Sequence, residues 1–164
     1  MNEIFKRVSI RKYESREVEK EKIEKIHRAA MAAPSAGNQQ PWEFYAVTDK
    51  EKIKALSECS QYSGCAAGAP VVIVPCQRTE GLWAPEIAQI DMSITTENIL
   101  LEIVSQGLGG VWLAVAPLPD RIEKVAKVLG LGEELTPFAM VPLGYPAESR
   151  EQQDRFDESR IHWA

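Results

Sequence analysis

The chain is poor in the residues from which most recognisable catalytic centres are built. It carries two histidines, His27 and His162, and three cysteines, Cys59, Cys65 and Cys76, among 164 residues. No Cys-x-x-Cys occurs, and two histidines add little, so a clustered metal site is not expected. The odd cysteine count reads as unpaired, small core or near-surface residues of a reducing cytoplasm. No apolar run approaches the roughly 18–20 residues needed to span a bilayer. The charged stretch Met1–Lys12 lacks the apolar segment and small-residue cleavage site of a secretory signal, so a cytoplasmic protein with no membrane partner is expected. Positive charge is not in surplus: the formal net charge of −5 argues against a nucleic-acid partner. Walker, Gly-x-Ser-x-Gly and His-Glu-x-x-His sequences are missing. Neither histidine has a nucleophile at a persuasive spacing, and His27 falls on the inner side of a helix, where a packed core residue is the ordinary reading. With no acid–base or nucleophile set in view, a bound cofactor becomes the attractive carrier of the chemistry.

What is present is an ordinary globular composition, 45% hydrophobic and 26% charged, of a length that suits one domain over residues 1–164. Ile23, Ile26, His27 and Ala30 recur at helical spacing and predict a helix over Val18–Ala33, stopped by Pro34. A breaker-rich loop, Pro34–Pro41, precedes an alternating strand, Trp42–Val47, and Asp49 reads as the N-cap of a short helix ending at Ser57. The run Val71–Val74 predicts a buried strand within Ala69–Cys76. A loop carrying Trp83 leads to the longest helix, Glu86–Gln106, whose broad apolar surface suits a core or a subunit interface. Gly107–Gly110 ends that helix and opens a strand over Val111–Val115. A helix over Pro119–Leu129 closes at Gly130, and Ala139–Gly144 is the last core strand. The polar tail Tyr145–Ala164 is expected to lie along a surface. Helices first, then strands and helices mixed, suggest an α+β sandwich with helices on a mainly antiparallel sheet.

Two segments have chemical potential. Arg7, Ser9 and Arg11 are spaced two apart, so in extended chain they point the same way. Two guanidinium forks and a hydroxyl would then form a phosphate clamp; a solvated basic stretch is the plainer reading of the same pattern. The loop Pro34–Trp42 places Ser35, Asn38 and Gln40 on a turn bounded by prolines. Their groups suit the polar edge of a flat heterocycle, with Pro34 against its face, although an ordinary helix-to-strand loop fits equally. Gly107–Gly110 is not a dinucleotide fingerprint, because it follows a helix and opens a strand. It more simply permits a C-cap and close backbone approach.

Taken in order, Arg7-Val8-Ser9-Ile10-Arg11, Pro34-Ser35-Ala36-Gly37-Asn38-Gln39-Gln40-Pro41-Trp42, Asn98-Ile99-Leu100-Leu101, Gly107-Leu108-Gly109-Gly110-Val111-Trp112, Leu143-Gly144-Tyr145-Pro146-Ala147-Glu148, Arg155-Phe156 and His162-Trp163 resemble the FMN-dependent nitroreductase family. The resemblance implies a nitroreductase-like sandwich, its long central helix at a homodimer interface, with FMN bound by residues of both subunits. It implies that Arg7, Ser9, Arg11 and Arg155 hold the ribityl phosphate. Pro34, Ser35 and Asn38 would come from the opposite subunit, with Gln40 supporting the ring or ribityl chain. Trp112, Leu113 and Ala114 would lie along the isoalloxazine and offer backbone N–H groups to it.

By the same resemblance the activity is a ping-pong reduction, with NADH or NADPH as donor and a nitroaromatic, quinone or similar small-molecule electron acceptor; no side chain is named as catalytic. A flavin-binding storage, sensing or electron-relay protein without reductase activity, or a relative with different flavin chemistry such as reductive dehalogenation, is the alternative. Two departures stand out. Gln153 occupies a position where family members often carry lysine, which shifts phosphate binding onto Arg7, Arg11 and Arg155. The stretch between Gln61 and Glu86 lacks the helical insertion of longer relatives, which leaves Trp83 or Tyr62 to line the open face of the flavin.

Overall fold

The structure, a computed structural model, describes residues 3–164; Met1 and Asn2, the start of the charged N-terminal stretch, lie outside the described residues. In chain order the elements are α1 (Glu3–Lys6), α2 (Lys20–Met31), β1 (Trp42–Val47), α3 (Lys50–Ser57), β2 (Val71–Arg78) and α4 (Ala88–Ser105). Then come β3 (Gly109–Gly110), β4 (Leu113–Ala114), α5 (Pro119–Leu129), β5 (Leu135–Pro137) and β6 (Ala139–Gly144).

Alternation along β2 sets the layers. Val71 and Ile73 join Ile99, Leu100 and Ile103 of α4 and Ile26 and Ala30 of α2 in one apolar cluster. Val72, Val74 and Cys76 point the other way, into a cluster with Ile53 and Leu56 of α3 and Val125 of α5. The sheet is thus covered on both faces, which is why Val71–Cys76 is a continuous apolar run rather than an alternating one. Each fully buried Val or Ile contributes about 1.5–3 kcal/mol of transfer free energy.

The strand order is β1-β2-β6-β3, with β4 also on β6 and β5 also on β2; every ladder is antiparallel. The last strand expected from the glycine turn, Val111–Val115, is realised as two short ladders, β3 and β4, that keep one register along β6. The break falls where Val111 faces Pro142, whose carbonyl accepts the Val111 N–H at 3.3 Å but which has no N–H to return. Alternation survives the break: Val111, Leu113 and Val115 enter the α3/α5 cluster, and Trp112 packs on the other side. Opposite β2, one residue more than β2 itself contains separates the β5 and β6 pairings, because Ile73 faces Val141 while Cys76 faces Pro137. That is a β-bulge beside Ala139, the partner of Ala114.

Helix ends follow the expected chemistry in several places. Asp49 Oδ1 accepts the Lys52 N–H at 2.9 Å, and Gly130 closes α5 at φ +68°. Gly107 ends α4 at φ +71°. The last carbonyls of α2 are met from a distance: Thr95 Oγ1 donates to Ala30 O at 2.7 Å and Asn98 Nδ2 to Ala29 O at 3.0 Å, which fixes α2 across α4. The predicted Glu86–Gln106 helix begins as a 3-10 turn at Pro85–Ile87 before α4 proper. Among the described residues no helix is long and apolar enough to cross a membrane.

Candidate cofactor site

Residues 7–13 run extended along the end of the sheet. Ser9 makes a parallel bridge to Gly110, the Ile10 N–H donates to Gly110 O at 3.0 Å, and Tyr13 pairs with Pro146. Ile10 is buried, so the alternation of extended chain sets Ser9 and Arg11 on the opposite side. This docking requires Gly109, where a Cβ would stand 2.8 Å from Ile10 side-chain atoms. Tyr13 pins the segment: its hydroxyl lies 2.7 Å from Ile10 O and 3.0 Å from Pro142 O. Burial raises that phenol far above its ordinary range, so it serves as a structural donor. Glu148 Oε1 accepts the Arg11 backbone N–H at 2.6 Å, and the Arg11 guanidinium has no ion-pair partner among the described residues.

Arg7 lies 3.6 Å from Glu97 of α4. The tail reaches the same place: Gln152 Nε2 donates to Ile4 O at 3.1 Å, three residues from both Arg7 and Arg155 in sequence. Arg155, like the rest of the chain beyond Glu148, is exposed and has no ion-pair partner among the described residues. The structure therefore strings Arg7, Ser9 and Arg11 along one end of the sheet and brings the tail, at Gln152, against the helix that precedes Arg7. Trp112, Leu113 and Ala114 follow Gly110 on the same edge, Ala114 being roughly 13 Å along an extended chain. Leu113 is buried, Trp112 half-buried against Phe138 at 5.8 Å, and Ala114 exposed. The Ala114 carbonyl accepts from Arg121 Nη1 at 2.9 Å, and Tyr62 lies 5.5 Å from that guanidinium.

The loop Pro34–Pro41 forms a separate half. Gly37, Asn38 and Gln40 take φ of +53°, +56° and +46°; for the two non-glycine residues that backbone costs on the order of 1–3 kcal/mol each. Its polar groups partly satisfy one another. Ser35 Oγ accepts the Gln40 N–H at 3.0 Å, and Gln40 Nε2 donates to Asn38 Oδ1 at 3.0 Å. Trp83, though mostly exposed, lies against Gly37, where a Cβ would stand 3.0 Å from its ring. Among the described residues no hydrogen bond or ion pair joins this loop to Arg7, Ser9, Arg11, Trp112–Ala114 or Arg155.

Sequence reasoning missed the residues that hold the loop. Asp91, Gln39 and Arg78 reach it from α4, from within and from β2. A lone carboxylate amid Ile87, Ile90, Met92 and Ile94 was the available signal for Asp91. Among the remaining titratable groups, burial lowers His27 below its ordinary range, and its Nδ1 is 2.8 Å from Ile23 O. Burial pushes the Cys76 thiol up to about 12, and the three cysteines are unpaired. Among the described residues no group of three or more His, Cys, Asp or Glu could hold a metal ion.

A sequence profile described as the Nitroreductase family matches residues 4–61 and 61–145. A protein of Methanothermobacter thermautotrophicus, provisionally named NADH dehydrogenase/NAD(P)H nitroreductase, is 42% identical over 95% of this chain and 82% of its own. A crystal structure from Clostridium acetobutylicum, provisionally named NADH oxidase, superposes with a TM-score of 0.95 at 45% identity, covering 98% of this chain and 97% of that one. A Desulfovibrio desulfuricans protein solved in complex with FMN, provisionally named nitroreductase, gives 0.87 at 26% identity over 99% and 95%. With an α+β sandwich, an antiparallel sheet between helices and a long central helix in common with these, the chain belongs to the nitroreductase family.

Proposed function

We propose that this chain is an FMN-dependent oxidoreductase of the cytoplasm, active as a homodimer. Bound FMN supplies hydride acceptance from NADH or NADPH and, in a second half-reaction, electron delivery to a nitroaromatic, quinone or similar acceptor. The observation that carries this reading is the docking of the Arg7–Arg11 segment on Gly110. It sets basic forks and the Trp112–Ala114 segment on one edge of the sheet, as a ligand with a phosphate at one end and a flat ring at the other requires. The fit is chemical as well. Arg11 and Arg155 are guanidinium groups without an ion-pair partner among the described residues, and planar forks match a phosphate dianion. A Desulfovibrio desulfuricans relative carries FMN on the same fold.

In this reading Arg7, Ser9, Arg11 and Arg155 bind the phosphate and so fix the register of the ring. Trp112, Leu113 and Ala114 lie along the ring, where backbone N–H dipoles favour negative charge. Pro34, Ser35, Asn38 and Gln40 approach from the opposite subunit, which accounts for a loop that, among the described residues, no hydrogen bond or ion pair joins to the phosphate half of its own chain. No side chain is assigned as general acid or base: Tyr13 and His27 are occupied by backbone carbonyls. Dimerisation would also cover Ile90, Phe156 and Trp163, which are exposed at 60%, 75% and 94%.

The test is an absorbance spectrum of the gel-filtered protein, supplied with FMN if colourless, followed by anaerobic titration with NADH and with NADPH. A flavin spectrum on a dimer-sized peak, bleached rapidly by either nicotinamide, is expected. A protein that retains no flavin after reconstitution would overturn the reading. Flavin that neither nicotinamide reduces would leave a storage, sensing or relay module.

A further inference from the structure

Asp91 is a buried carboxylate, 2% exposed, on a helix whose other buried residues nearby are Ala88, Met92 and Thr95. Its hydrogen-bond donors come from the loop that contains the left-handed residues Gly37, Asn38 and Gln40. Ala36 N–H donates to Oδ1 at 3.0 Å and Gln39 Nε2 to Oδ2 at 2.6 Å. A buried anion is costly unless donors surround it, so the loop and the carboxylate hold each other. Gln39 also ties the loop to the segment before α4: its Oε1 accepts the Ala84 N–H at 2.9 Å and its Nε2 lies 3.1 Å from Ala84 O. On the far side, Arg78 Nη2 donates to the Gln39 and Gln40 carbonyls at 3.0 Å each, while its Nε is buried with no partner. Asn38 and Gln40, bonded to each other, are left exposed by this knot.

We propose that Asp91, acting through Gln39, is the positioning residue that holds the left-handed turn Gly37–Gln40 in the shape that receives the flavin. This rests on the reading that the turn meets FMN. Two anchored hydrogen bonds offset the cost of the positive-φ residues, so the turn is set before the ligand arrives, and little ordering is left for binding to supply. The loop residues that meet the ligand in this reading are Pro34, Ser35, Asn38 and Gln40; Asp91 is not among them and acts through the Gln39 side chain and the Ala36 backbone it holds.

The hydrogen-bond polarity gives a reciprocal test on the full chain. In Asp91→Asn an amide donor must face either Gln39 Nε2 or the Ala36 N–H; in Gln39→Glu two buried carboxylates face each other. In the double variant the amide introduced at position 91 would donate to the carboxylate introduced at position 39, while its oxygen still accepts from the Ala36 N–H. FMN affinity is read by quenching of flavin fluorescence well below the melting temperature. Each single variant should raise the FMN dissociation constant roughly tenfold or more. The double variant should bind FMN clearly more tightly than Gln39→Glu alone without reaching the parent, because the Ala84 carbonyl loses the donor that Gln39 Nε2 gives it at 3.1 Å. A merely structural role would lower the melting temperature without this reciprocal rescue. Single variants that bind FMN like the parent, or a double variant no better than Gln39→Glu alone, overturn the proposal. If the single and double variants fail to fold, Gln39→Ala, which leaves Asp91 in place, decides: weakened FMN binding supports the proposal and unchanged binding overturns it. Failure of the parent protein itself to bind FMN is the separate failure of the functional reading.

Discussion

Arg7 Nε and Glu97 Oε1 lie 3.6 Å apart, joining the end of α1 to the middle of α4, with the carboxylate half-exposed. Burial raises the Glu97 carboxyl above its ordinary range, and Arg7 opposes this without cancelling it. A carboxyl whose folded pKa exceeds its unfolded one is penalised in its ionised form. Stability therefore falls as pH rises from the unfolded value through the folded one, and the loss persists at neutral pH. Glu97→Gln removes that penalty and leaves the Arg7 charge undivided. The variant should melt no lower than the parent at neutral pH, and any gain should vanish near pH 4, around the ordinary carboxylate range. Thermal melts of the apo-protein across this range check it, and a clear loss at neutral pH would show that the ion pair outweighs the desolvation.

Arg11 and Arg155, by contrast, are arginines of the candidate phosphate end with no ion-pair partner among the described residues. With Gln153 in place of a lysine, each should matter individually. Arg11→Ala and Arg155→Ala should each weaken FMN binding about 10–100-fold, the worth of a charge-assisted hydrogen bond, and should flatten its salt dependence. Arg150, already 3.2 Å from Glu148, is the control: Arg150→Ala should change FMN affinity little. Flavin titrations at low and high salt distinguish these outcomes, and equal losses at Arg150 would reduce the effect to bulk charge.

The legible parts of the fold were those decided by local pattern. The apolar run of β2, the Asp49 cap and the Gly130 stop all follow from residues within a few positions of one another, and all appear as expected. What escaped depends on partners far along the chain. The split of Val111–Val115 into β3 and β4 comes from Pro142 on the neighbouring strand. β5 is short, ends at Pro137 and takes its place only through the bulge against β2. At the candidate site, the alternation of Arg7, Ser9 and Arg11 announced an extended segment, but not that Gly109 would receive Ile10. The loop residues Ser35, Asn38 and Gln40 were visible as polar groups on a turn. The left-handed backbone of Asn38 and Gln40 was not, because the residues that hydrogen-bond to this loop, Asp91 and Arg78, lie dozens of residues downstream.

Trp83 gives a sharper test of the open face than Tyr62. Its ring rests on Gly37, inside the loop assigned to the flavin, whereas Tyr62 stands by Arg121 beyond Ala114. Trp83→Ala should alter the Michaelis constants of electron acceptors while leaving FMN content intact, because no hydrogen bond of the loop depends on the indole. Steady-state kinetics with a quinone and a nitroaromatic check this; unchanged constants for both would remove Trp83 from the pocket.

The proposed dimer has its own handle at Ile90. The residue is 60% exposed on α4 while its neighbours Asp91 and Met92 are buried, so this turn of the helix offers an apolar side chain outward next to the carboxylate that holds the loop. Burying an isoleucine contributes about 1.5–3 kcal/mol, and two-fold symmetry counts each side chain twice. A buried carboxylate in its place would more than reverse that. Ile90→Glu should therefore move the gel-filtration peak toward monomer, with the dimer dissociation constant raised roughly 100-fold or more. If Pro34–Gln40 reach the flavin from the opposite subunit, flavin must be lost in step with the dimer, and recovered at protein concentrations that restore it. A monomer that keeps its flavin would place both halves of the site in one chain and remove the opposite-subunit role of the loop.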